Sequence, residues 1–61
     1  MDEKIYSAKE VAELLKIPVS GVQRYIRLGE LTAMKLGREY RIMESDLDTF
    51  LDNKKKETTK E

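Results

Sequence analysis

Residues 18–42 read PVSGVQRYIRLGELTAMKLGREYRI, and the spacing of the apolar residues changes within this stretch. Up to Gly29, apolar side chains such as Val22 and Ile26 recur at helical spacing, and the glycine is expected to end the helix as a left-handed cap. Beyond it, short apolar runs flank Gly37, as in two strands joined by a tight turn. The stretch therefore predicts a helix followed directly by a β-hairpin.

A second helix is predicted just upstream. Ser7 is followed three residues later by Glu10, the spacing of a capping box, and an apolar stripe continues the pattern over residues 8–15. Pro18 interrupts that stripe and suits the first turn of the next helix. Two short helices joined by a turn of about three residues match the helix-turn-helix template.

The hairpin allows two registers. With a three-residue loop over residues 37–39, the apolar side chains share one face, and Lys35 and Arg41 lie on the other. With a two-residue loop, Lys35 instead pairs with Tyr40. We favour the first register because it turns four apolar side chains to the core: Met34, Leu36, Tyr40 and Ile42.

The remaining segment predicts a third helix and a tail. Ser45 is a weak signal for the cap of this helix, and its apolar stripe consists of Leu47, Phe50 and Leu51. The helix is expected to end near Asn53. Residues 54–61 contain no apolar side chain and are expected to form a charged flexible tail. The chain is thus expected to be mainly α with a small β-hairpin, a winged helix-turn-helix domain over residues 1–53.

Charge is segmented along a chain whose formal net charge is zero. Residues 16–41 carry six cations against two anions, a local charge of +4, and residues 42–53 carry four anions and no cation. A polyanion responds to this local field rather than to the total charge of the chain.

The absence of cysteine and histidine argues against disulfides, Cys/His zinc sites and imidazole catalysis, so no cofactor and no enzyme activity are expected. No apolar run approaches the roughly 20 residues of a membrane helix, and a cytoplasmic location is expected.

Two cationic surfaces are candidates for DNA contact. The outward side of the second helix would enter a major groove, where Gln favours adenine and Arg favours guanine. Its polar residues are Ser20, Gln23, Arg24 and Arg27. The wing would contribute Lys35, Arg38 and Arg41, with Arg38 at its tip, reaching phosphates or a minor groove. The alternative interpretation is a solvated helix face and strand charges that prevent edge-to-edge aggregation.

From Ser7 to Leu51 the sequence resembles the excisionase-family DNA-binding domain, a small winged helix-turn-helix related to the DNA-binding part of MerR-type regulators. The resemblance rests on EVAELL at 10–15, V-x-R-x-I-R-x-G-E-L at 22–31 and G-R-x-Y-R-I at 37–42. It implies a recognition helix over 19–28 and a wing over 33–42 that contacts the adjacent minor groove or backbone. Val19 and Gly21 depart from the polar residues common in such domains.

The resemblance also implies a role. Excisionases are recombination directionality factors that bind and bend attachment-site DNA and promote excision by a recombinase. The implied partners are double-stranded DNA, a recombinase contacted through the C-terminal tail, and further copies of the chain side by side on DNA. The alternatives are a small MerR-like transcriptional regulator of a mobile element and a protein-binding adaptor that uses the acidic third helix.

Overall fold

The computed structural model describes residues 3–58, which form three helices and a three-stranded antiparallel sheet. In chain order the elements are β1 (Ile5–Ser7), α1 (Ala8–Leu15), α2 (Val19–Arg27), β2 (Met34–Leu36), β3 (Glu39–Met43) and α3 (Glu44–Thr58). The sheet order is β1-β3-β2, so the hairpin of β2 and β3 is the predicted wing. The predicted winged helix-turn-helix fold is confirmed, and β1 is an additional strand that the sequence analysis did not anticipate.

The capping box sets the start of α1 as predicted. The backbone amide of Glu10 donates to Ser7 Oγ at 3.0 Å, and the amide of Ser7 donates to Glu10 Oε1 at 2.8 Å. The helix ends at Lys16, which adopts a left-handed conformation, and α2 begins after Pro18. Both predicted helices of the helix-turn-helix unit are therefore confirmed.

A small apolar core holds the elements together. Each fully buried large aliphatic side chain contributes about 1.5–3 kcal/mol, so a core of this size gives modest stability. Four of its members come from the helix-turn-helix unit and the segment after it, and three come from β3 and α3. They are Val11, Ala12, Val22, Leu31, Ile42, Leu47 and Phe50.

The favoured hairpin register is wrong, and the two-residue alternative is correct. Lys35 pairs with Tyr40 and Leu36 pairs with Glu39, which leaves Gly37 and Arg38 as the loop. Gly37 has φ +66° and Arg38 does not have a positive φ, the pattern of a type II′ turn, whose twist matches that of the flanking strands. Turn geometry therefore outweighed the burial of Met34 and Leu36 on the core face.

The start of α3 also differs from the prediction. Ser45 is not the cap, because α3 begins at Glu44 immediately after β3. The Ser45 amide donates to the Glu3 carboxylate at 2.6 Å, and the Glu44 amide donates to the Lys4 carbonyl at 2.9 Å. Hydrogen bonds from the Ser45 hydroxyl and amide lower the pKa of Glu3 from its ordinary value. Residues that precede β1 thus satisfy the amides of the first turn of α3.

The predicted end of α3 near Asn53 is wrong as well. The helix runs to Thr58, so residues 54–58 of the expected tail are helical, and residues 59–61 lie outside the described part of the chain. Lys54 Nζ lies 2.6 Å from Glu30 Oε1 and 5.0 Å from the centre of the Tyr25 ring. The hydrogen bond to Glu30 raises the pKa of Lys54. These contacts join the C-terminal part of α3 to the end of α2.

Candidate nucleic-acid interface

The outward side of α2 carries the four polar residues that the sequence analysis singled out. All four are exposed, because the opposite side of the helix packs on the core through Val22. Arg27 follows Ser20 by seven positions, close to two helical turns, so their side chains lie nearly in line along the helix. Gln23 projects to one side of that line and Arg24 to the other. The helix therefore presents a polar surface about two turns long.

A concave surface lies between α2 and the wing, and we call it the wing hollow. Gln23 lines it from the helix, and Arg38 and Arg41 line it from the wing. The N-terminal end of α1 contributes Lys9. The complete lining is Ser7, Ala8, Lys9, Gln23, Arg38, Glu39, Tyr40 and Arg41, which carries three cations and one anion. The structure therefore brings predicted residues of the helix and of the wing to one cationic surface.

Arg41 is held in position within the wing. Its Nη1 lies 2.8 Å from Glu39 Oε1 and donates to the Tyr40 carbonyl at 3.3 Å. The ion pair offsets the negative charge of Glu39, the one acidic side chain of the wing hollow. An anion approaching the wing hollow therefore meets little repulsion from that carboxylate.

The other predicted arginines keep their charge available. Within residues 3–58, the guanidinium groups of Arg24, Arg27 and Arg38 form no ion pair. Arg24 lines a separate hollow, on the side of α2 that faces Pro18 and Leu28. The positive surface therefore extends around α2 beyond the wing hollow.

Lys35 does not join the other wing cations. The two-residue turn places it on the same wing face as Tyr40, with Nζ 5.7 Å from the ring centre, whereas Arg41 is on the opposite face. The predicted grouping of Lys35 with Arg41 on one face is thus wrong, because the register shifted by one residue relative to the favoured one. Lys35 remains exposed and able to reach a phosphate.

Sequence reasoning missed Lys9 and Leu36. Lys9 lies outside the apolar stripe of α1, and no local signal distinguishes it, because only the packing of α1 beside β3 brings it to the wing hollow. Leu36 was assigned to the core, although the Gly-Arg pair at 37–38 is a signal for a type II′ turn that would have exposed it. The error at Lys9 concerns long-range placement, whereas the error at Leu36 concerns the type of a local turn.

Across residues 3–58 there is no group of acidic, cysteine or histidine side chains that could hold a metal ion. No helix within that range is both long enough and apolar enough to cross a membrane. The acidic residues of α3 and the Lys54–Glu30 ion pair do not line the wing hollow.

An exposed polar helix after a short turn, followed by a cationic hairpin, defines a winged helix-turn-helix protein. A family model described as a helix-turn-helix domain matches residues 5–55, and the chain belongs to this family, which includes excisionase-like domains. Membership indicates sequence-specific DNA binding. Neither a curated protein nor a solved structure matches the chain.

Proposed function

We propose that the chain is an excisionase, a cytoplasmic, non-enzymatic DNA-binding protein that binds and bends attachment-site DNA and favours excision by a recombinase. The observation that carries the DNA-binding part is the wing hollow, where Gln23 of α2 faces Arg38 and Arg41 of the wing. A helix in a major groove and a wing in the neighbouring minor groove would straddle one phosphate backbone. The wing hollow offers cations to that backbone.

Family membership supports the recombination role, because the family includes excisionase-like domains. In this proposal Ser20, Gln23, Arg24 and Arg27 contact bases and phosphates of the major groove. The wing cations Lys35, Arg38 and Arg41 contact the backbone or minor groove on either side. A recombinase would contact the C-terminal end of α3, and further copies would bind side by side.

The first test is the salt dependence of DNA binding. Five phosphate contacts, from Lys9, Arg27, Lys35, Arg38 and Arg41, predict a slope of about −4.5 for log affinity against log salt. Arg38→Ala should reduce that slope by about 0.9 and weaken specific and random duplexes alike. Lys56→Ala removes the same charge from α3, where the ammonium group lies 3.3 Å from Asp52, and should leave the slope unchanged. A wild-type slope near zero would contradict the proposal.

The second test separates base reading from backbone contact. Arg24→Ala should weaken a selected site more than random DNA, by about 1–3 kcal/mol if Arg24 contacts a guanine. Equal losses on both duplexes would assign Arg24 to the backbone instead.

Footprinting on the DNA that flanks the encoding gene distinguishes the biological roles. Protection of several spaced repeats beside an attachment site is the expected result for an excisionase. Protection of one promoter site would instead indicate a MerR-like transcriptional regulator.

A further inference from the structure

The solvent-facing side of the wing carries apolar side chains where a polar surface is the ordinary arrangement. Cross-strand pairing places Met34 opposite Arg41 and Leu36 opposite Glu39, so these four side chains share one face, which we call the outer wing face. Leu36 is 58% exposed and Met34 is 39% exposed. The type II′ turn at Gly37 creates this exposure, because the other register would have turned both residues inward.

The outer wing face is continuous with the wing hollow. Glu39 and Arg41 belong to both surfaces, and Arg38 in the turn also lines the wing hollow. Leu36 lies directly across from Glu39 and two residues before Arg38. The leucine therefore stands at the border of the cationic surface, close to the tip of the wing.

We propose that Leu36 is an apolar wedge that enters the DNA minor groove and bends the duplex, an inference that rests on the proposed DNA-binding function. Proteins that bend DNA through the minor groove insert apolar side chains such as Leu or Met between base steps, and flanking cations hold the backbone. Arg38 and Arg41 supply those cations here. Glu39 does not oppose the approach, because Arg41 lies 2.8 Å from its carboxylate.

The charge around the outer wing face favours DNA over a protein partner. A leucine among arginines does not suit a phosphate, but it fits the sugar walls and base edges between two phosphate backbones. Met34 lies farther from the turn on the same face and would contact the sugars behind the wedge. The competing occupant is a second copy of the chain, which would cover the same leucine in the absence of DNA.

Energy transfer between fluorophores at the two ends of a selected-site duplex tests the proposal. The wild type should shorten the end-to-end distance, and Leu36→Ala at saturating concentration should give less than half of that change. Leu36→Ala should bind the duplex only about two- to tenfold more weakly than the wild type. The variant loses the contact of the leucine, but it also avoids the free-energy cost of unstacking the bases. Leu36→Met should bend as the wild type does.

Leu14→Ala is the matched control. Leu14 is 57% exposed, and it lines a different hollow on α1 together with Tyr6, Glu10 and Glu13. Its replacement should alter neither the bend nor the Kd. Far-UV circular dichroism should confirm that both alanine variants are folded, since neither leucine is part of the core.

Several results would overturn the wedge. A wild type that binds without bending, or a Leu36→Ala variant that bends fully, would refute it and leave DNA binding intact. If Leu36→Ala instead removed self-association in sedimentation runs without DNA and left the bend unchanged, the outer wing face would be a contact between copies. A wild type that selects no sequence would refute the proposed function and the wedge together.

Discussion

Two glycine-to-alanine substitutions should change the stability of this chain in opposite directions. Gly21 is inside α2, where glycine is about 0.5–1 kcal/mol less favourable than alanine. A Cβ at position 21 would meet Ile17 Cδ1 at 3.4 Å, the free end of a flexible side chain. Gly21→Ala should therefore stabilise the protein by about 0.5–1 kcal/mol.

Gly37→Ala should have the opposite effect. Gly37 has φ +66°, and nothing lies within 4 Å of a Cβ built there, so the cost comes from the backbone alone. An L-residue in this left-handed region costs about 1–2 kcal/mol. The turn should keep its register, because no packing opposes the added methyl group.

These changes are large relative to the total. A chain of 61 residues is expected to have a free energy of unfolding of about 3–9 kcal/mol, and 1 kcal/mol shifts the Tm of a domain this small by about 4–8 °C. Gly21→Ala should raise Tm by about 2–8 °C, and Gly37→Ala should lower it by about 4–16 °C. Thermal and urea unfolding followed by far-UV circular dichroism measure both, with the urea m-value unchanged.

Shifts of the same sign in the two variants would refute the reasoning. Loss of stability in Gly21→Ala would mean that Ile17 cannot yield to the methyl group. Unchanged stability in Gly37→Ala would mean that the turn does not hold position 37 in the left-handed region.

Three further substitutions test the capping, the core and the acid response. Ser7→Ala removes the cap of α1 and should cost about 1 kcal/mol in urea unfolding, whereas Ser7→Thr should keep most of it. Ile42→Ala leaves a cavity in the core beside β3 and should lower the free energy of unfolding by about 2–5 kcal/mol. That loss is enough to leave much of the protein unfolded at room temperature. Because Ser45 lowers the pKa of Glu3, the stabilisation is present above the ordinary carboxyl pKa and is lost as pH falls through the folded value. On acidification the Tm of Glu3→Gln should therefore fall less than the Tm of a Glu13→Gln control. Equal falls in Tm would contradict the capping of α3 by Glu3.

The elements that sequence alone predicts here are those with local causes. The capping box at Ser7 set the start of α1, and the stripe through Val22 set the buried side of α2. The wing was also recognisable, because the change of apolar period and Gly37 lie within one short stretch. Each of these signals acts over fewer than about ten residues, the range of helix and turn preferences.

Most of the failures involve partners that are distant in sequence, and the exception is the hairpin register, which the local turn at Gly37 and Arg38 decides. β1 has only three residues and is a strand because β3 pairs with it. Glu3 caps α3 from 42 positions away, and Lys54 extends that helix by contacting Glu30. The outward residues of α2 were predictable from helical period, but the entry of Lys9 into the wing hollow required the packing of α1 against the sheet.

The pairing of β1 with β3 has a consequence for when the domain can fold during synthesis. β1 and the residues before it are synthesised earlier than α3, and Glu3 can accept the hydrogen bond from the Ser45 amide only after 42 further positions. At about 5–20 residues per second, that interval is about 2–8 s. Ile42 is added only near the end of that interval and Phe50 after it, so for most of the interval the helix-turn-helix unit lacks these apolar partners in the core. The core of the domain is therefore expected to form in a single late step, after β3 and the first turns of α3 have been synthesised.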